Sequence, residues 1–170
     1  SQTPSHLFMF AEICDAVGLP AGVFNMVHGS GREIGAALSS HPDVDMVTFT
    51  GSTAAGIQVT NSASTDVKRV CLELGGKSPC IITTEDDLDA AMEFGINDFM
   101  VNTGQTCNAL TRMVVHESVY DQAVELAKSK SEALIVGDPT DPKVYVGPMS
   151  SPGQKQTVID YIDQAIADGA

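Results

Sequence analysis

Basic side chains are scarce in these 170 residues: nine Lys and Arg stand against 22 Asp and Glu, giving a formal net charge of −13. A nucleic acid or an anionic membrane surface needs Lys/Arg patches, so neither is expected as a partner. The acidic excess reads as a solubility feature, gathered in stretches such as Glu85-Asp86-Asp87. Long apolar runs are also missing: none approaches the length of a transmembrane helix, and no secretory signal pattern opens the chain. The four cysteines, Cys14, Cys71, Cys80 and Cys107, form no Cys-x-x-Cys pair, and no histidine stands at zinc-finger spacing. No metal site is therefore expected. A disulfide framework is equally unexpected without a secretory signal, so a reducing, cytoplasmic compartment is the default. Cys14, Cys71 and Cys80 lie within helix or strand patterns and read as small buried thiols. No internal repeat or low-complexity segment is visible.

What is present suffices for a real core, with 43% hydrophobic and 18% charged residues. Thr3-Pro4 reads as an N-cap followed by a proline in the first turn. Leu7, Phe10, Ala11, Cys14 and Val17 then keep helical spacing until Gly18 and Pro20. Residues 23–27 suit a buried strand, and a short helix follows Gly29-Ser30-Gly31 and stops near His41-Pro42. Residues 46–50 form a second strand, and Gly51-Ser52-Thr53 turns into a third helix. Residues 68–74 alternate, with Val70, Leu72 and Leu74 on one face. This α-β-α-β-α-β order implies a parallel sheet covered by helices, an α/β fold.

Gly75-Gly76 is the best domain boundary, and the pattern restarts beyond it. Residues 80–83 read as a strand, and Thr84 with Asp87 makes a capping-box pattern. The helix it starts has Leu88, Ala91, Met92, Ile96 and Phe99 on its core face. Cys107 falls in the following loop, before a strand at 112–116. Ser118 reads as the cap of a helix with Tyr120, Ala123, Val124 and Ala127 inward. A turn-rich connector spans 136–147, and Ser151-Pro152 opens a last helix striped by Val158, Ile159, Ile162 and Ile166.

Three segments carry chemistry. Phe49-Thr50-Gly51-Ser52-Thr53-Ala54-Ala55-Gly56 leads a strand through small residues into a helix start, where amides and the dipole end can meet a pyrophosphate. Glycine permits close approach there, and the Ser52 hydroxyl can donate to phosphate oxygens. This is not the usual Gly-x-Gly-x-x-Gly fingerprint. Gly29-Ser30-Gly31 is nearer to it, with its third glycine one residue late at Gly35. Glu73-Leu74-Gly75-Gly76-Lys77-Ser78-Pro79 ends a strand on a carboxylate. Taken alone, such a residue is more often a solvated strand end than a base, and Lys77 reads as a structural charge. Thr103-Gly104-Gln105-Thr106-Cys107-Asn108-Ala109 holds the fourth cysteine. A lone loop cysteine is usually structural, yet a thiolate is also a strong nucleophile toward an aldehyde carbon. His6, His28, His41 and His116 are scattered and set up no visible base for Cys107.

In this order the three segments resemble the core of the NAD(P)-dependent aldehyde dehydrogenase superfamily. The resemblance runs through essentially the whole chain, which opens and closes in the middle of the family's pattern. It implies the second half of a Rossmann-type NAD(P)-binding domain over residues 1–75, and the first part of an α/β catalytic domain over 76–170. By the same resemblance, Cys107 in Gly-Gln-x-Cys is the nucleophile, and its backbone amide helps hold the oxyanion. Glu73 activates the water that hydrolyses the thioester. Branches of the family that pass the acyl group to coenzyme A or phosphate typically lack this glutamate, so Glu73 favours a free carboxylic acid as product. Gly51, Ser52, Thr53 and Gly56 would bind the cofactor, Leu74 and Gly75 would pass beneath the nicotinamide, and Gly31 would lie along the adenine side.

Ser1 falls where the family often has a glutamate that binds the adenosine ribose. Without that carboxylate a 2′-phosphate is not repelled, so NADP as well as NAD is expected. The implied partners are a small-molecule aldehyde and, for the full-length enzyme, further copies of itself. The family's second oxyanion donor, an asparagine, and its cofactor-contacting lysine precede Ser1, so these 170 residues alone are expected to be inactive. Two other classes remain at this level. A thiol hydrolase or acyl-transferase would need a histidine near Cys107. A non-catalytic homologue would be expected to lack Cys107 or Glu73, and both are present.

Overall fold

The computed structural model describes residues 4–83 and 87–170. The chain divides into two units, Ser1–Leu74 and Gly75–Ala170, each built around a pair of parallel strands joined through a helix.

In the first unit, helix α1 spans Ser5–Ala16 with Pro4 at its N-cap position, and the expected cap Thr3 lies outside the described residues. The helix ends in a Schellman motif. Gly18 takes the left-handed φ of 77° that a Cβ would oppose, its N–H bonds to the Asp15 carbonyl, and the Leu19 N–H reaches Cys14, both at 3.0 Å. The strand expected at 23–27 does not form. Val23 donates back to the Pro20 carbonyl in a turn, and Val23 and Val27 are both exposed. A strand needs a neighbour to complete its ladder, and β1 pairs only with β2 among the described residues. Residues 23–28 attach to α1 instead, through Phe10 edge-on to Phe24 and Phe8 stacked on His28.

A π-helical turn, Gly31–Gly35, runs into the short helix α2, Ala36–Ser40, and is capped by Ser30, whose Oγ accepts from the Glu33 N–H. Strand β1 (Met46–Gly51) leads through Ser52 into helix α3 (Thr53–Ala63), and strand β2 (Arg69–Leu74) returns beside β1. The pairing is parallel, with Met46 opposite Arg69 and Gly51 opposite Leu74. Helix α3 covers both strands and packs against α2. Between α3 and β2 the chain turns at Val67, a β-branched residue at φ 53°, ψ 38° with 90% of its surface exposed.

The second unit repeats the crossover. Strand β3 (Pro79–Ile82) is followed by helix α4 (Leu88–Met100), and strand β4 (Arg112–Val115) pairs with β3 in parallel, Pro79 opposite Arg112 and Ile82 opposite Val115. Asp87 occupies the N-cap position of α4 without a side-chain cap bond, and the proposed capping partner Thr84 lies outside the described residues. Helix α5 (Tyr120–Glu132) packs on α4 around Ile82, Leu88, Met92, Val119 and Ala123. Ser118 is not the cap of α5. A 3₁₀ turn, Glu117–Val119, comes first, and the His116 ring Nδ1 accepts the Ser118 N–H. Ala123 and Ala127 pack inward as expected, joined by Val119 and Leu126, while Tyr120 and Val124 are exposed. Lys130 ties α5 to α4 through Asp89 at 3.0 Å and Glu93 at 3.5 Å. The connector beyond α5 pairs Val136 with Val146 in a single bridge and is anchored to α4 by Tyr145, whose hydroxyl donates to the Asn97 carbonyl at 2.9 Å. Ser151 then caps helix α6 (Pro152–Ala167) by accepting the Gln154 N–H. No helix among the described residues is long and apolar enough to cross a membrane.

The packing sets expectations for stability. Met92 has no exposed surface, so Met92→Ala should destabilise by about 2–5 kcal/mol in urea unfolding. Val124→Ala, on the exposed side of α5, should stay within about 0.5 kcal/mol of wild type. Val67→Asn should raise stability by roughly 1 kcal/mol, because asparagine tolerates the left-handed conformation that a β-branched side chain resists. An unchanged or lower unfolding midpoint for Val67→Asn would refute that account.

Candidate active site

The candidate residues fall at two edges, one in each unit. Parallel strands finish at the same edge, and the β1–β2 register sets Thr50 opposite Glu73 and Gly51 opposite Leu74. The helix start Gly51-Ser52-Thr53 and the segment Glu73-Leu74 thus stand side by side at the carboxyl ends of two parallel strands, the edge where open α/β sheets bind ligands. Ser52 caps α3, its Oγ accepting the Ala55 N–H at 3.3 Å. That bond uses the oxygen as acceptor and leaves the hydroxyl proton for a ligand oxygen. The N–H groups of Thr53 and Ala54 precede the first intrahelical bond, made by Gly56 to the Ser52 carbonyl.

Gly56 is buried one turn into α3. A Cβ there would stand 2.9 Å from Leu74 Cδ2 and 3.5 Å from Leu72 Cδ1. It acts by letting the helix lie close on β2, and Leu72 and Leu74 point toward that helix. Because side chains alternate along a strand, Cys71 and Glu73 point to the opposite face, where both are exposed. Gly75 is exposed with nothing within 4 Å of a built Cβ, and Gly31 opens the π-helical turn in the same open condition. Ser1 lies outside the described residues.

Cys107 belongs to the second unit, in the stretch between α4 and β4. Three consecutive residues before it are left-handed: Asn102 at φ 52°, Thr103 at φ 62° and Gly104 at φ 72°. Glycine accepts this freely and asparagine nearly so, whereas for threonine it costs roughly 1–2 kcal/mol. Side-chain bonds worth about 1 kcal/mol each offset that cost. Asn102 Nδ2 donates to the Gln105 carbonyl at 3.2 Å, and Thr103 Oγ1 donates to the Gly147 carbonyl in the connector at 3.1 Å. Gln105 Nε2 donates to the Asn102 carbonyl at 3.0 Å, and Gln105 Oε1 accepts the Ser150 N–H at 2.8 Å. Past the cysteine, Ala109 is buried, and the Asp98 carboxylate at the end of α4 accepts the Leu110 N–H at 3.1 Å. The loop is pinned on both sides, and Cys107 and Asn108 form an exposed turn between the pins. Where the loop enters β4, Arg112 N–H bonds to the Ser78 carbonyl, at the edge where β3 begins. An open groove of about 440 Å³ runs along α4 past Phe94, Asn97 and Tyr145 to Val101, which opens this loop.

The sequence reading missed the anchors Asp98, Tyr145, Gly147 and Ser150. A weak signal for the loop was present, since Asn-Thr-Gly is a run of turn formers with glycine at the left-handed position. His116, the histidine of this unit, is committed to Ser118 at 2.8 Å, beyond the far end of β4. The four-residue strand puts it roughly 13 Å from where the cysteine loop enters β4. Of the three cysteines expected to be buried, Cys71 is exposed, because the face of β2 turned away from α3 has no covering layer among the described residues, while Cys14 and Cys80 are half-buried. Burial pushes the Cys80 thiol above its ordinary value, and the Asp98 charge adds to this. Among the described residues no group of three or more His, Cys, Asp and Glu stands together as metal ligands would.

Known proteins share both the sequence and the fold. The family profile described as aldehyde dehydrogenase family matches residues 1–170. A 3-succinoylsemialdehyde-pyridine dehydrogenase from a Pseudomonas species is 47% identical over 167 residues, which cover 98% of the chain and 35% of that protein. The chain thus spans about a third of the length of the curated relatives it matches. The crystal structure of a cysteine-to-alanine variant of an aldehyde dehydrogenase from Pseudomonas syringae, complexed with NAD+ and octanal, superposes with a TM-score of 0.96 at 39% identity, over 99% of this chain and 35% of that one. A 3,6-anhydro-L-galactose dehydrogenase in complex with NADP superposes at 0.93 with 35% identity, over 98% of this chain and 35% of that one.

The cysteine environments predict an order of reactivity. Under native conditions iodoacetamide should alkylate Cys107 and Cys71 well before Cys80, and Cys80 labelling should gain most as the pH is raised. Peptide-resolved mass spectrometry reads this directly, and early labelling of Cys80 at neutral pH would contradict it.

Proposed function

The chain belongs to the aldehyde dehydrogenase family, and from that premise we propose that its protein oxidises an aldehyde to a carboxylic acid with hydride passing to NAD or NADP. One observation carries the reading: an exposed cysteine at the tip of a loop fixed on both sides by hydrogen bonds. The Pseudomonas syringae enzyme, held with both NAD+ and octanal once a cysteine became alanine, supports a thiol in the chemistry of that relative.

In the proposed reaction the Cys107 thiolate adds to the aldehyde carbon, forming a C–S bond and placing negative charge on the former carbonyl oxygen. The Cys107 backbone N–H helps to hold that oxyanion. NAD(P), when bound, accepts the hydride that leaves the same carbon, and a thioester of Cys107 remains. Glu73 takes a proton from water as the water attacks the thioester carbon. The C–S bond then breaks, and the thiolate departs as the carboxylic acid forms.

For the cofactor, Ser52 and the Thr53 and Ala54 amides suit the pyrophosphate, with Gly51 permitting close approach. Gly56 contributes by seating α3 on β2 beneath that start. Leu74 and Gly75 are assigned to the nicotinamide side, Gly31 to the adenine side, and Ser1 to the adenosine ribose, where its lack of charge admits both NAD and NADP. Residues 1–75 then serve the cofactor and supply Glu73, and 76–170 carry the nucleophile, in a cytoplasmic enzyme that assembles as a homo-oligomer.

Two substitutions in the intact enzyme test the assignment. Cys107→Ala should abolish dehydrogenase activity, with kcat falling by at least about a thousandfold. Glu73→Gln should spare thiol attack and slow deacylation, so a rapid burst of reduced cofactor should precede a slow steady state. Loss of the burst together with the steady state would move Glu73 to the acylation step instead.

A further inference from the structure

We propose that Gln105 is a positioning residue for Cys107, its side-chain amide locking the nucleophile loop to the connector that precedes α6. The proposal rests on the reading of Cys107 as the nucleophile. Gln105 stands two residues before that cysteine and makes bonds in two directions with the two ends of one amide. Nε2 donates to the Asn102 carbonyl at 3.0 Å, within the left-handed run, while Oε1 accepts the Ser150 N–H at 2.8 Å, next to the cap of α6. The Gln105 backbone joins in: its N–H also reaches the Asn102 carbonyl at 3.1 Å, and its carbonyl accepts from Asn102 Nδ2 at 3.2 Å. Residues 102–105 thus form a closed ring of local bonds with a single side-chain strut outward from Gln105, alongside the Thr103 bond to Gly147. The Asp98–Leu110 bond fixes the other flank. Without the strut, the upstream flank keeps only the Thr103–Gly147 bond to the connector, and the residue two before Cys107 loses its own tie.

The chemistry of the strut demands an amide. The group facing Asn102 must donate and the group facing Ser150 must accept, so a carboxylate of the same shape satisfies only the second. In the Gln105→Glu variant, the ionised carboxylate would set an oxygen against the Asn102 carbonyl. Protonated, the same carboxyl would regain a donor there and reproduce the glutamine pattern.

This gives a signature that a loss of general stability would not produce. In the intact enzyme, Gln105→Met should lower kcat by about tenfold or more while leaving the KM for NAD(P) and the thermal midpoint near wild type. Gln105→Glu should also be about tenfold slow at pH about 8, but its activity relative to wild type should rise by about half as the pH falls to about 5.5, where roughly one carboxyl in sixteen is protonated. The same ratio for Gln105→Met should stay flat. Cys107→Ala, assayed alongside, separates the two ideas. Turnover surviving in Cys107→Ala overturns the nucleophile reading and the positioning role with it. An inactive Cys107→Ala with near-wild-type kcat in both Gln105 variants overturns the positioning role alone, as does a slow Gln105→Glu whose relative activity ignores pH.

Discussion

The parallel register of paired strands is the constraint on which both candidate edges depend. Parallel strands start together and finish together, so whatever follows β1 emerges beside whatever follows β2. That is why a helix start and a carboxylate more than twenty positions apart in sequence become neighbours, with Thr50 opposite Glu73 and Gly51 opposite Leu74. Alternation along β2 then sorts the two end residues to different tasks. Leu74 turns inward to Gly56 and holds the helix, and Glu73 turns outward. Moving the register by one residue would exchange these roles, placing the carboxylate against α3 and Leu74 in the open.

The second unit uses the same crossover and inverts the location of its chemistry. Its reactive candidate sits on the return path from α4 to β4, at the edge where the strands begin. Such a return is ordinarily a loose connection. Here it carries a left-handed threonine, which persists only because surrounding bonds over-determine it. The bonds come from three places: within the loop, from Asp98 on α4, and from the connector at Gly147 and Ser150. The connector is itself held to α4 by Tyr145. The position of Cys107 is therefore shared among segments that lie up to forty-five residues apart.

The elements that could be read directly were those whose signal is local and periodic. The stripe Leu88, Met92, Ile96 is a helix face wherever it occurs, and it is buried. Gly18 and Pro20 end a helix by their backbone geometry, and Ser52 and Ser151 cap by their side chains. Misreadings arose where a neighbour decides the outcome. Residues 23–27 have strand composition but no ladder partner among the described residues. On α5, Ala123 and Ala127 read correctly, but a 3₁₀ turn capped by His116 precedes the helix, and Val119 and Leu126 pack inward in place of Tyr120 and Val124. The motif cysteine could be singled out from its flanking glycine and glutamine. The side chains that hold its loop could not, since Asp98 looks like any acidic residue late in a helix and Ser150 contributes only its backbone N–H.

Asp98 also shows how one carboxylate separates two thiols. Cys80 and Cys107 lie in the same unit and meet different surroundings. Cys80 is half-buried on β3, where desolvation disfavours its thiolate and the charge of Asp98 disfavours it further. The same Asp98 accepts the Leu110 N–H and so fixes the downstream flank of the loop that leaves Cys107 exposed. Position on the fold, rather than any difference in the side chain itself, leaves one cysteine half-buried and the other exposed. Asp98, near the end of α4, takes part in both: it fixes one flank of the Cys107 loop, and its charge adds to the burial that raises the Cys80 thiol.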